Sequence, residues 1–179
     1  MKRIYLVRHC QASGQESEAP LTAEGERQAD ELAEFMRDRQ IERIVSSPYV
    51  RAMQSVKPLS ERLGLEIHID DRLRERVLST SMLDDWLKRY EETFLDDDLK
   101  FPGGESSAEA TGRGLAVIEE ATARPEHACL IVTHGGLLSL IIRHYNREFG
   151  FEDWRRLTNP DVYELQIHAG EAVIRRIWT

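Results

Sequence analysis

Four short, largely apolar runs, at residues 4–7, 41–45, 65–69 and 127–133, alternate along the chain with longer segments of helical periodicity. Ile4, Tyr5, Leu6 and Val7 follow one another without polar alternation, the pattern of a strand buried on both faces. Ala29, Leu32, Ala33 and Met36 then recur at i, i+3, i+4 and i+7, which predicts an amphipathic helix with Thr22 as its N-cap. After the second run, Ser47 reads as a helix cap with Pro48 at the first helical position. Val50, Met53 and Val56 would face inward on that helix, and Gly64 would close it. Ser106 and Glu109 fit a capping box for a helix reaching about residue 123, a reading that Gly112 and Gly114 weaken. Gly135 and Gly136 lead into an apolar helix, and residues 162–167 and 172–177 predict a hairpin turning near Ala169 and Gly170. Strands alternating with helices in this way pack as a three-layer α/β/α sandwich around a mostly parallel sheet.

At 179 residues the chain is expected to form one domain over 1–179. Residues 70–104 break the alternation: they hold Glu75, a helical stretch around 83–90, Asp96, Asp97 and Asp98, and a Pro102, Gly103, Gly104 break. This segment reads as a small helical insertion lying over one end of the sheet. The net charge of −8 leaves no broad basic surface, so a nucleic-acid partner is not expected. No apolar stretch is long enough to span a bilayer, and the charge at Arg8 ends the run behind Lys2 and Arg3 too early for a signal h-region. Two cysteines, Cys10 and Cys129, make no disulfide framework, and together these features predict a cytoplasmic protein. The C-terminal hairpin offers an edge strand, which leaves a homodimer open.

In open α/β sheets, ligands bind beyond the carboxyl ends of the strands. Reactive residues stand at these places here. Arg8 and His9 follow the first run, Ser47 to Arg51 the second, Arg74 and Glu75 the third, and His134, Gly135 and Gly136 the fourth. Two arginines, two histidines and a glutamate on one rim suit a doubly charged phosphoryl group. A guanidinium fork can hold two of its oxygens, and an imidazole can attack phosphorus. The helix opened by Gly135 and Gly136 would add backbone N–H groups toward an anion.

These residues resemble the histidine phosphatase superfamily, also called phosphoglycerate mutase-like, in its phosphatase branch. The family's Arg-His-Gly tripeptide is matched by Arg8, His9 and Cys10, with cysteine in place of glycine. Residues 46–55 resemble the motif carrying the second phosphate-binding arginine, Leu73, Arg74 and Glu75 the proton-donor segment, and residues 101–106 and 132–136 the last two signatures. Each motif alone is common; five in this order are specific. The resemblance implies that His9 is the nucleophile, that Arg8, Arg51 and His134 hold the nonbridging oxygens, and that Glu75 protonates the leaving alkoxide. Gln15 and Gly135 would also contact the phosphate or the substrate. Asp70 and Asp71 are the fallback proton donors, because the residues after Glu75 lack the family's usual Gly and Trp-Glu-Gly continuation.

The implied activity is hydrolysis of small phosphate monoesters through a phosphohistidine, with neither metal nor cofactor. Two alternatives stay open: phosphoglycerate mutase-type phosphoryl transfer, which shares the first half-reaction, and a noncatalytic phosphate-binding or regulatory module of the same fold. Cys10 could be a redox-sensitive thiolate beside arginines or, as such residues more often are, a small packed hydrophobe.

Overall fold

A computed structural model describes residues Met1–Thr179. The chain runs β1 (Lys2–Arg8), α1 (Ala23–Met36), β2 (Arg43–Ser46), α2 (Val50–Leu63) and β3 (Ile67–Ile69). A 3-10 turn (Asp71–Leu73) then leads through α3 (Trp86–Glu92) to α4 (Ser107–Ala123). The remainder is β4 (Ala128–Thr133), α5 (Gly135–Tyr145), α6 (Phe151–Arg155), β5 (Asp161–His168) and β6 (Glu171–Arg176). The six strands form one sheet in the order β3-β2-β4-β1-β5-β6. The first four in that order are parallel, whereas β5 and β6 add on antiparallel. The mostly parallel sandwich is therefore present, with a hairpin closing one side.

Side-chain alternation along the central strands separates two cores. Ile4 and Leu6 of β1, with Cys129 and Ile131 of β4, pack against Val117, Ile118, Leu137 and Ile141 of α4 and α5. Tyr5 and Val7, with Ala128, Leu130 and Val132, pack against Leu32, Met36, Val56 and Leu59 of α1 and α2. All four residues from Ile4 to Val7 are buried, as a strand covered on both faces requires. Thr22 caps α1 by accepting from the Gly25 amide, and Gly64 ends α2 in the left-handed conformation at φ 64°.

Two expectations about the helices change. α2 begins at Val50, with Tyr49 rather than Ser47 in the N-cap position, and its inward face is Arg51, Ala52, Ser55, Val56 and Leu59. Val50 and Met53 are only half-buried. Pro48 disfavours helical backbone at Ser47, whose Oγ accepts from the Tyr49 amide at 3.3 Å and also meets His134. In α4, Ser106 caps through the Glu109 amide, but the Glu109 carboxylate turns outward to Lys100. Gly114, which weakened the helix prediction, is where α4 meets α5: a Cβ there would lie 3.0–3.2 Å from Ile141 and Leu137. Close packing outweighs the intrinsic cost of a helical glycine.

Candidate active site

The parity that sorts the core also sorts the residues beyond the strand ends. Arg8 continues the side of Ile4 and Leu6, toward α5, while His9 continues the side of Tyr5 and Val7, toward α2. His134, next after β4, stands beside His9 with their ring centroids 5.1 Å apart. β1, β4 and β2 are neighbours in the sheet, so Arg8, His9, Ser47 and His134 meet although up to 126 residues separate them.

His9 is 8% exposed. Its Nδ1 lies 2.7 Å from the Cys10 carbonyl oxygen, which can only accept, so Nδ1 carries the hydrogen and donates. Nε2 is therefore left with its lone pair, and it accepts from Arg51 Nε at 3.2 Å. Asn159 Nδ2 donates to the His9 carbonyl at 2.9 Å and fixes the backbone. Burial, followed by the charges of Arg51 and Arg8, outweighs the Cys10 hydrogen bond and lowers the pKa of His9 to about 3. The ring is a neutral imidazole with a defined tautomer.

Arg51, from α2, is 1% exposed. Besides His9 it donates through Nη1 to the Gln15 and Glu16 carbonyls, at 3.2 and 2.8 Å, and its guanidinium lies 4.9 Å from the Tyr49 ring centroid. Arg8 donates through Nη1 to the Leu157 and Thr158 carbonyls, at 3.0 and 3.4 Å, while its buried Nε has no partner. Gly135 lets Arg8 approach α5, for a Cβ there would lie 3.0 Å from that Nε. His134 is fully buried, with Nε2 2.7 Å from Ser47 Oγ and Nδ1 unpartnered. Burial first, then His9 and the nearby arginines, hold His134 well below the usual histidine pKa. Unpartnered buried nitrogens such as those on Arg8 and His134 are uncommon in folded proteins, and an acceptor-rich anion would satisfy them.

Glu75 stands at the same rim but is not free. Its Oε2 accepts from the Gly136 amide at 3.0 Å, and its Oε1 from the Leu137 and Arg76 amides at 3.0 and 2.7 Å. The N-terminus of α5, expected to face an anion with its amides, is thus capped by Glu75, and a carboxylate is the group that a helix N-terminus favours. Oε2 keeps one lone pair, where a proton can sit. The segment bearing Glu75 is held by Arg113 of α4, which donates to the carbonyls of Arg72, Arg74 and Glu75 and pairs with Glu105. Glu105 in turn accepts from the Val77 amide. Asp70 and Asp71 are elsewhere: Asp70 caps the 3-10 turn and pairs with Arg72, and Asp71 is exposed beside Arg74.

The Gln15 side chain is exposed, and only its carbonyl joins the site, through Arg51. Cys10 packs in the core on the α1 and α2 side, its amide donates to Ser55 Oγ, and burial pushes its thiol up to about 12. Burial thus favours the thiol over the thiolate. Cys129 is a core residue. Asp97 pairs with Arg143, so the acidic run is partly tied to α5. No three His, Cys, Asp or Glu side chains are grouped to hold a metal ion. No helix is long and apolar enough to cross a membrane. Arg113 escaped the sequence analysis, and so did the roles of Ser47, read as a cap, and of Glu105, known only as part of the 101–106 signature, because both act on groups distant in sequence.

Depressed histidine pKa values make stability depend on pH. Between about 6.5 and 3, His9 of the unfolded chain binds a proton that folded His9 does not. Its contribution is fully present above pH 6.5 and is lost as pH falls through that window, at about 1.4 kcal/mol per pH unit. Urea midpoints measured from pH 7 to 4 are expected to fall less steeply for His9→Gln than for the wild type. Equal slopes would contradict the neutral, buried ring.

A family model described as the histidine phosphatase superfamily (branch 1) matches residues 4–179. Among curated proteins, the probable phosphoglycerate mutase GpmB of Enterobacter sp. (strain 638) is 31% identical over 163 residues, covering 79% of this chain and 74% of that protein. Among solved structures, mycobacterial glucosyl-3-phosphoglycerate phosphatase in its native form superposes with a TM-score of 0.78 at 25% identity, covering 98% of this chain and 96% of that one. Its complex with inorganic phosphate gives a TM-score of 0.77 at 26% identity, covering 99% and 96%.

Proposed function

Because the chain belongs to branch 1 of the histidine phosphatase superfamily, we propose that it is a metal-independent phosphomonoesterase acting on small phosphate monoesters through a phosphohistidine at His9. The observation that carries this reading is the His9 tautomer: Nδ1–H is anchored on Cys10, and the Nε2 lone pair faces Arg51. A neutral imidazole needs no deprotonation before it attacks. A phosphate oxygen arriving at Arg51 would bring phosphorus up to that lone pair.

Arg8, Arg51 and His134 then hold the nonbridging oxygens. In the tautomer in which Ser47 Oγ–H donates to His134 Nε2, the unpartnered Nδ1 carries a hydrogen that would reach the anion. The P–O bond to the leaving group breaks as the N–P bond forms, and Glu75 delivers a proton from Oε2 to the departing oxygen. Water next attacks the phosphohistidine and Glu75 recovers its proton, so histidine and carboxyl return to their starting states. Phosphoryl transfer asks mainly for positioning and charge, and the buried Arg51 and half-buried Arg8 guanidinium groups supply both. The solved neighbour bearing inorganic phosphate supports a small phosphorylated substrate.

A second reading, mutase-type transfer, draws on the relatives named probable phosphoglycerate mutase. A mutase must keep its phosphoenzyme from water while a second anion rebinds. Only residues 76–102, with their acidic run, are available here as cover. The test is release of inorganic phosphate from p-nitrophenyl phosphate and from 3-phosphoglycerate, with and without chelator. Release from both substrates, unchanged by chelator and faster than phosphoryl exchange between phosphoglycerates, is expected. Exchange outpacing release would establish the mutase, loss of activity to chelator would refute metal independence, and absence of both reactions would leave a binding module.

A further inference from the structure

The Tyr90 hydroxyl is one of the buried polar groups near the site that the proposed chemistry does not use. Tyr90 lies on α3 and is 6% exposed, yet its buried hydroxyl has no hydrogen-bond partner. The ring is locked from several sides. Its centroid is 4.5 Å from that of Trp154, 5.5 Å from that of Phe94 and 5.5 Å from the Arg76 guanidinium carbon. This packing delivers the hydroxyl to the first turn of α5. A Cβ on Gly136 would lie 3.1 Å from Tyr90 Oη and 2.5 Å from Glu75 Oε1, so the phenol and the carboxylate share one niche that only glycine leaves open. A phenylalanine would fill the aromatic cluster equally well without burying an unpaired hydroxyl. Arg76 and Ser139 lie near the same oxygen without a well-formed bond to it, so the hydroxyl is costly in this state and open to a better partner.

We propose that Tyr90 is a positioning residue for Glu75, its hydroxyl donating a hydrogen bond to the Glu75 carboxylate once that group has surrendered its proton. The inference rests on the assignment of Glu75 as the acid under the proposed function. In that step the proton moves from Glu75 to the leaving oxygen as the P–O bond breaks and N–P forms, and the tyrosine proton stays on its own oxygen. Burial, and next the negative charge of Glu75, outweigh the nearby Arg76, Ser139 and Arg8 and push the phenol up, so Tyr90 acts as a donor and not as a phenolate. It stabilises the charge that appears on Glu75 during the reaction, which is where a hydrogen bond accelerates a step and does not merely tighten binding.

Leaving-group dependence tests this. An alkyl phosphate needs its leaving oxygen protonated, whereas p-nitrophenolate departs without help. The value of kcat/KM covers the chain of events up to the first P–O cleavage and omits dephosphorylation. For Tyr90→Phe we expect kcat/KM for β-glycerophosphate to fall about tenfold, that for p-nitrophenyl phosphate to stay within about twofold, and the melting midpoint to equal or exceed that of the wild type. Glu75→Gln should show the same contrast, but larger. Equal losses on both esters, no loss on either, or a lowered midpoint would overturn the role, since a structural hydroxyl does not distinguish leaving groups. If Glu75→Gln itself shows no contrast, the acid assignment fails and Tyr90 loses its partner. A contrast in Glu75→Gln without one in Tyr90→Phe removes Tyr90 alone. A wild type hydrolysing neither ester refutes both.

Discussion

Replacing His9 by alanine is expected to lower kcat for p-nitrophenyl phosphate at least about 10³-fold, as removal of a covalent nucleophile does elsewhere. The variant retains Arg8, Arg51 and His134, so it should still bind inorganic phosphate as a competitive ligand within about tenfold of the wild type. That separation is the informative part. A ring that served only to hold the anion would lose affinity and little rate, whereas a nucleophile takes the rate with it. The substitution also removes the acceptor of Arg51 Nε and the donor to the Cys10 carbonyl, both inside the protein. A melting midpoint should accompany the kinetics, so that a loss of fold is not read as a loss of chemistry.

Arg51→Lys keeps the charge and is expected to lower kcat/KM by about 10²–10³-fold, the range found when one preorganised donor to a developing anion is removed. The guanidinium binds in three directions at once: Nε to His9 Nε2, Nη1 to the Gln15 and Glu16 carbonyls, and its face to Tyr49. A lysine ammonium is a single point on a flexible stem and cannot hold the loop at 15–16 while also addressing His9 and substrate. The loss should divide between a raised KM, from the missing fork, and a lowered kcat, from a misplaced His9. A change below about threefold would show that charge alone suffices and that the arrangement around His9 has little mechanistic meaning.

The residues that meet at the site were legible largely because they follow strands. Periodicity located β1, β2 and β4, and the rule that ligands bind beyond their carboxyl ends brought Arg8, His9, Arg51 and His134 to one rim. What periodicity does not contain is the order of strands in the sheet. β2 lies directly beside β4, pairing Ser46 with Val132, and only that adjacency reveals that Ser47 completes His134 and does not cap a helix. Glu75 was visible as a carboxylate, but its bonds to the amides of Gly136 and Leu137 span 61 and 62 residues. Two of the amides expected to face an anion at that helix end, those of Gly136 and Leu137, therefore go to Glu75. Glu105 lies in the 101–106 signature, but its hold on the Glu75 segment through Arg113 and the Val77 amide became visible only with the loop in place. Local signals carried the elements and their reactive ends. The supports of those ends are long-range hydrogen bonds, which no local pattern encodes.

Rapid acid-free quenching of the protein during turnover of a ³²P-labelled phosphate monoester tests the covalent step most directly. The trapped label should be stable in alkali and lost in acid, as a phosphoramidate is, should map to a peptide containing His9, and should be missing from His9→Ala. An acid-stable adduct, or the same labelled peptide from His9→Ala, would contradict a phosphohistidine at His9.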